Sequence, residues 1–214
     1  MKLEVDGVFF EVNGKTILSD IYLDLKVGEV VGLLGRNGSG KTTLFDLIFG
    51  ARKADDMSVR IDGRPYKKPF KNQLLQYLPQ YGYLPNFLTI SSAFEFMGIT
   101  YKAIEGLSDC SPKTKIGHLS FGQKRLVEIQ LLLESKSTFV LLDEPFSGLS
   151  PLSIEIISAK IESEKDKKGI FITDHMYGEI LSISDRLMVM ESGTLKQIEK
   201  DPTALEFAGY LSST

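Results

Sequence analysis

Val30-Val31-Gly32-Leu33-Leu34-Gly35-Arg36-Asn37-Gly38-Ser39-Gly40-Lys41-Thr42-Thr43 runs from an apolar segment through a glycine-rich turn into an apolar helix expected over 42–49. Residues 35–42 match the G-x-x-x-x-G-K-[ST] phosphate loop, and the match lies between strand and helix as that loop requires. Glycines are needed because a Cβ would keep the backbone from wrapping phosphates, while the N–H groups at the helix start supply donors and a positive dipole. Lys41 adds a cation and Thr42 a hydroxyl for Mg²⁺. Average residue usage yields such a match in a chain of this length about one time in a hundred, so nucleotide binding outweighs an ordinary glycine-rich turn.

Outward from this stretch, two further runs are apolar without alternation: Phe139-Val140-Leu141-Leu142 and Ile170-Phe171-Ile172. Strands buried on both faces of a parallel sheet read this way. Between them, Ile154, Ile157 and Ile161 recur at helical spacing over 151–168, with Gly169 as the expected stop. The chain's beginning differs. Val8, Phe10 and Val12 alternate with Phe9 and Glu11, a turn is expected at Asn13-Gly14, and Ile21, Leu23 and Leu25 alternate again, as in half-buried antiparallel strands. The expected class is α/β: a phosphate-loop core with a parallel sheet flanked by helices, plus an N-terminal antiparallel β subdomain.

The 214 residues, 43% of them apolar, suffice for one large domain, and no repeat or long linker divides them. No apolar stretch approaches the roughly 20 residues that span a bilayer. Met1-Lys2-Leu3-Glu4 opens with charge where a secretory signal would be apolar. The expectation is a soluble, cytoplasmic chain with no direct membrane insertion. One cysteine, Cys110, and two histidines, His118 and His175, give neither a disulfide framework nor zinc spacing. A net charge of −3 disfavours nucleic acid as a partner.

Leu141-Leu142-Asp143-Glu144 ends a buried strand with two acids, where an open parallel sheet presents ligand groups. With a phosphate loop in the same chain, Asp143 is the natural Mg²⁺ partner, and Glu144 can polarise an attacking water. His175 follows the strand expected at 170–173 and should emerge at the same edge, as a donor to the γ-phosphate or its water. His118 has no such support and is read as structural.

Leu119-Ser120-Phe121-Gly122-Gln123 closely resembles the LSGGQ signature of ABC ATPases and precedes a helix bearing Leu126, Ile129 and Leu133. The glutamine of Tyr77-Leu78-Pro79-Gln80, the acids at 143–144, Ser147-Gly148-Leu149 and Thr173-Asp174-His175 follow in the family's order. The resemblance covers essentially the whole chain and implies one ATPase domain over 1–214. Its core with the β subdomain would span about 1–80 and 120–214, with a short helical subdomain at about 81–119. It implies ATP and Mg²⁺ as cofactors, catalysis by Glu144, His175, Lys41 and Gln80, and metal contacts from Thr42, Gln80 and Asp143. Nucleotide contacts are implied at Val12, at 35–43 and at Ser120, Phe121, Gly122 and Gln123. The last group would serve the opposite subunit of a homodimer or heterodimer that powers separate transmembrane permease subunits from the membrane's inner face. Ser120 at a helix N-terminus suits an anion. The runs 142–148 and 172–175, with Glu179-Ile180-Leu181, look most like the lipopolysaccharide-export and branched-chain amino-acid-importer ATPases.

Several positions depart from the family pattern. Val12 stands where many relatives place an aromatic residue against adenine, and Phe10 is the expected substitute. Ser150 replaces a frequent aspartate that would speak across the dimer. The stretch 81–119, which would contact the membrane subunit, looks short by about one helix, with Phe87, Leu88, Phe94, Phe96 and Met97 expected in its core. The alternatives are a soluble ABC-type ATPase outside transport and a weakly hydrolysing nucleotide switch.

Overall fold

The structure, a computed structural model, describes residues 1–200. Positions 201–214 of the expected domain lie outside the described residues. Two long strands come first, β1 (Lys2–Val12) and β2 (Lys15–Lys26), paired antiparallel across a tight turn whose Asn13 and Gly14 both have positive φ, 51° and 77°. This is the two-residue hairpin geometry for which Asn-Gly is suited. β4 (Asp56–Ile61) and β5 (Arg64–Pro65) complete a four-stranded sheet in the order β2-β1-β4-β5.

A second sheet carries six strands. Its members are β3 (Val30–Gly35), β6 (Leu75–Leu78), β7 (Phe139–Asp143), β8 (Gly169–Thr173), β9 (Arg186–Glu191) and β10 (Thr194–Ile198), in the order β10-β9-β3-β8-β7-β6. All neighbours are parallel except β10, which runs antiparallel to β9. The helices are α1 (Lys41–Phe49), α2 (Ile90–Phe96), α3 (Phe121–Glu134), α4 (Pro151–Glu164) and α5 (Tyr177–Ile183).

The apolar runs at β3, β7 and β8 are uninterrupted because alternate residues feed two different cores. Val31, Leu33, Leu141 and Phe171 pack with α1 and the antiparallel sheet. Leu34, Val140, Leu142, Ile170 and Ile172 pack with α3, α4 and α5. Each fully buried side chain of this size contributes about 1.5–3 kcal/mol, so a charge anywhere along these strands would be destabilising on either face.

The structure departs from expectation in three places. α4 ends at Glu164 and continues as a 3₁₀ turn over Lys165–Lys167, so Gly169 is no helix stop but the first residue of β8. Its lack of a side chain serves close packing, since a Cβ there would stand 2.6 Å from the Lys26 carbonyl oxygen. β1 carries bulges between Val5 and Val8 and on to Glu11, and the expected alternation holds from Val8 to Glu11 but fails at Val12. Phe10 is buried under the Arg52 guanidinium, 5.5 Å from its ring centre, while Val12 is exposed. Finally, residues 81–119 hold one seven-residue helix, α2, and a 3₁₀ turn at Ile116–His118. That leaves too little structure to enclose every apolar side chain. Phe94 is buried and Leu88 and Met97 are partly covered, but Phe87 and Phe96 are 74% and 85% exposed, against the expectation of core.

Candidate nucleotide site

Because β3, β6, β7 and β8 are parallel, the segments leaving their carboxyl ends meet at one edge of the sheet. A cavity of about 480 Å³ opens there, lined by residues 37–43, Gln80, Glu144, His175 and Ile17. The sequence reading anticipated each of these except Ile17.

The loop after β3 is shaped by its glycines. Gly38 and Gly40 have φ of 78° and 110°, and a Cβ on Gly40 would stand 2.7 Å from Leu18 Cδ2. Gly35 is needed for close approach, as its Cβ would lie 2.6 Å from Ser39 Oγ. Lys41 opens α1 and turns back over the loop, donating to the Gly35 carbonyl at 2.6 Å and to the Arg36 carbonyl at 3.3 Å. Burial pushes its ammonium below the usual lysine range, opposed by Glu144, Asp143 and Asp174. Arg36 is exposed, and its carbonyl also accepts from the Ser39 N–H.

Two carboxylates end β7. Asp143 is fully buried, and burial pushes its carboxyl up to about 6, against the side chains of Thr42 and Tyr77 that hold the charged form. Tyr77 donates to Oδ2 at 3.3 Å, whereas Oδ1 is buried with no hydrogen-bond partner among the described residues. Glu144 has both oxygens engaged: Oε2 accepts from Gln80 Nε2 at 2.9 Å, and Oε1 lies 2.9 Å from His175 Nε2. Three residues that sequence reading assigned to separate motifs thus form one hydrogen-bonded row.

Glu144 also holds a left-handed backbone, φ 49°, which costs an L-residue roughly 1–2 kcal/mol. Its surroundings fix that conformation. The Glu144 N–H donates to the Thr173 carbonyl at 2.8 Å, and Arg125 reaches the Asp143 and Glu144 carbonyls at 2.8 Å each. Two residues on, Phe146 N–H donates to Asp174 Oδ2, also at 2.8 Å. Arg125 and Asp174 were absent from the sequence-derived site.

Ser120, Phe121, Gly122 and Gln123 stand outside this cavity, at the start of α3. Ser120 Oγ accepts from the Gln123 N–H, and Gln123 Oε1 accepts from the Ser120 N–H, a reciprocal capping box. The cap engages the Gln123 N–H and leaves the Phe121 and Gly122 N–H groups, which have no partner within the helix, at its end. Phe121 is 55% exposed and lies beside Gly148, where a Cβ would come within 3.3 Å of its ring. Ser150 caps α4 through the Ser153 N–H. Val12 is not among the cavity's lining residues, and buried Phe10 does not replace it there.

The chain matches the ABC transporter family over residues 18–147. It is 35% identical to a probable ABC transporter ATP-binding protein of Azorhizobium caulinodans, across 93% of this chain and 77% of that one. Its identity to the lipopolysaccharide export system ATP-binding protein LptB of Haemophilus influenzae is 30%, across 90% of this chain and 88% of the relative. Among solved structures, an ATP-binding subunit of an ABC transporter shares the fold at TM-score 0.80 and 23% identity, covering 100% of this chain and 96% of that one. Matched along most of its length in sequence and along all of it in fold, this chain belongs to the ABC transporter family and is one of the family's ATP-binding, ATP-hydrolysing subunits.

Proposed function

We propose that residues 35–43 hold the triphosphate of ATP, that Glu144 activates the attacking water, and that each site is completed by Ser120–Gln123 of a second ATPase subunit. The observation that carries this reading is spatial. Lys41, Gln80, Glu144 and His175 share one cavity, while the anion-suited end of α3 in the same chain stands outside it.

The residues fit the chemistry. Lys41, desolvated and bonded only to neutral carbonyls, gains a true counter-charge when phosphates enter. Thr42, Asp143 and Gln80 are the candidate Mg²⁺ partners. The unpartnered Asp143 Oδ1 and the carboxyl's raised pKa describe a group that a cation would satisfy. Gln80 spends its amide N–H on Glu144, which leaves its oxygen for metal or water. Mg²⁺, when bound, supplies Lewis-acid neutralisation of phosphate charge. Glu144, held between Gln80 and His175, is fixed in position to accept a proton from water, and His175 can donate to the phosphate that is leaving. Ile17 supplies an apolar surface for the base.

Two ATP molecules would thus hold two copies, or this chain and a related one, together until hydrolysis separates them. The domain reading is 1–214, with 81–119 facing separate permease subunits at the inner face of the membrane. Among the described residues no helix is long and apolar enough to cross a membrane. The lipopolysaccharide-export relatives make export of a large amphiphile the first substrate class to test.

Mixing two inactive variants tests the shared site. Lys41→Ala lacks a working phosphate loop, and Ser120→Arg blocks the end of α3. Random pairing restores one site in each mixed dimer, so about a quarter of wild-type turnover should return. No recovery on mixing, or full activity in Ser120→Arg alone, refutes the arrangement.

A further inference from the structure

α3 carries a buried ion pair in the middle of its length. Arg125 and Glu128 are 1% and 2% exposed, and Arg125 Nη1 lies 3.7 Å from Glu128 Oε2. A buried pair of this kind contributes little net stability in itself, because desolvation offsets the attraction. Its reason must be sought in what the two groups hold.

Glu128 Oε1 accepts from the backbone N–H groups of Tyr83, at 2.8 Å, and Leu84, at 3.1 Å. Gly82 packs against the same carboxylate so closely that a Cβ would stand 2.5 Å from Oε1. Arg125 donates to the Pro79 carbonyl at 2.9 Å and to the carbonyls of Asp143 and Glu144 at 2.8 Å each. The pair therefore grips both sides of Gln80, at 79 and at 83–84, and simultaneously fixes the backbone that carries Glu144. Gln80 and Glu144 touch at 2.9 Å, and no strand pairing holds them at that point, since β6 ends at Leu78 and β7 at Asp143.

We infer that Arg125 and Glu128 are positioning residues: a clamp on α3 that sets Gln80 against Glu144 and stabilises the left-handed backbone at Glu144. This rests on the hydrolytic role of Glu144. Because α3 begins at Ser120, the clamp also ties the helix that would meet the second subunit to both catalytic segments. A displacement of α3 along its axis would then reach Gln80 and Glu144 together.

The test uses the full chain with Glu128→Gln, Glu128→Ala and Arg125→Lys. Glu128→Gln keeps an oxygen for the Tyr83 and Leu84 N–H groups and loses the charge; Glu128→Ala loses both. Turnover should fall at least about tenfold in Glu128→Ala and in Arg125→Lys, with ATP affinity held within about threefold, and Glu128→Gln should recover part of the loss. Lys160→Met, which removes an ion pair between α3 and α4 away from the site, should change neither quantity. Peptide-resolved hydrogen exchange should quicken over 79–84 in Glu128→Ala and stay unchanged over the phosphate loop. Wild-type turnover in Glu128→Ala, or parallel losses of turnover and ATP affinity, overturns the inference. If the wild-type chain itself turned over no ATP, the hydrolytic reading would fail, and unchanged exchange over 79–84 would separately refute the clamp.

Discussion

Glu144→Gln isolates the chemical step from everything that supports it. The amide has the carboxylate's shape, so its oxygen can keep the Gln80 contact, and its NH₂ can face His175 Nε2 once the ring takes the tautomer that accepts there. Backbone bonds from Arg125 and to Thr173 do not involve the side chain and persist. What disappears is the base proposed for the attacking water. General-base catalysis contributes about 10²–10⁴ in rate, so the barrier should rise by about 3–5 kcal/mol. Nucleotide affinity should stay within about threefold or tighten, because a negative charge near the phosphates is removed. Single-turnover hydrolysis with radiolabelled ATP, beside equilibrium binding and sedimentation in ATP and Mg²⁺, measures all three quantities. The variant should accumulate as an ATP-bound dimer. Retention of more than about a tenth of wild-type turnover would refute Glu144 as the base.

Lys41→Ala should weaken ATP binding at least about tenfold, the loss of one charge-assisted bond to phosphate, and isothermal titration showing unchanged affinity would contradict the phosphate-loop assignment. Lys168 offers a pH test of stability. It is 3% exposed, donates to the Ser135 and Ser137 carbonyls, and burial holds its ammonium down to about 8, against 10.5 when unfolded. Between these values the unfolded chain binds a proton that the native chain does not, so native stability should climb with pH across that window. The climb relative to Lys168→Met should approach about 3 kcal/mol in urea melts; parallel curves for the two proteins would exclude it.

The parallel core was legible because β3, β7 and β8 are each buried on both faces, which removes polar residues from the run and leaves an unmistakable pattern. Legibility of the strands carried the site with it. Once they are parallel, residues 35–43, Gln80, Glu144 and His175 must leave from one edge. The bulges of β1 were illegible, since nothing in the alternation of 8–12 reveals an inserted residue, and Val12, expected on the face of Val8 and Phe10, is exposed while those two are buried. Phe87 and Phe96 were misjudged because hydrophobicity alone does not say whether 81–119 contains enough structure to cover them. Nothing in the sequence sets Arg125 and Glu128, spaced i and i+3, apart from a solvated helix pair. Only the packing of 79–84 onto α3 shows that both are interior.

The positive φ of Glu144 makes this position a conflict between folding and chemistry. Glycine would occupy the same backbone without strain, so with Glu144 as the proposed base, relaxation of the chain here and loss of the proton acceptor are one event. Screens that reward heat resistance alone would drift toward inert proteins at this residue, while screens that reward turnover would preserve a permanently uncomfortable peptide.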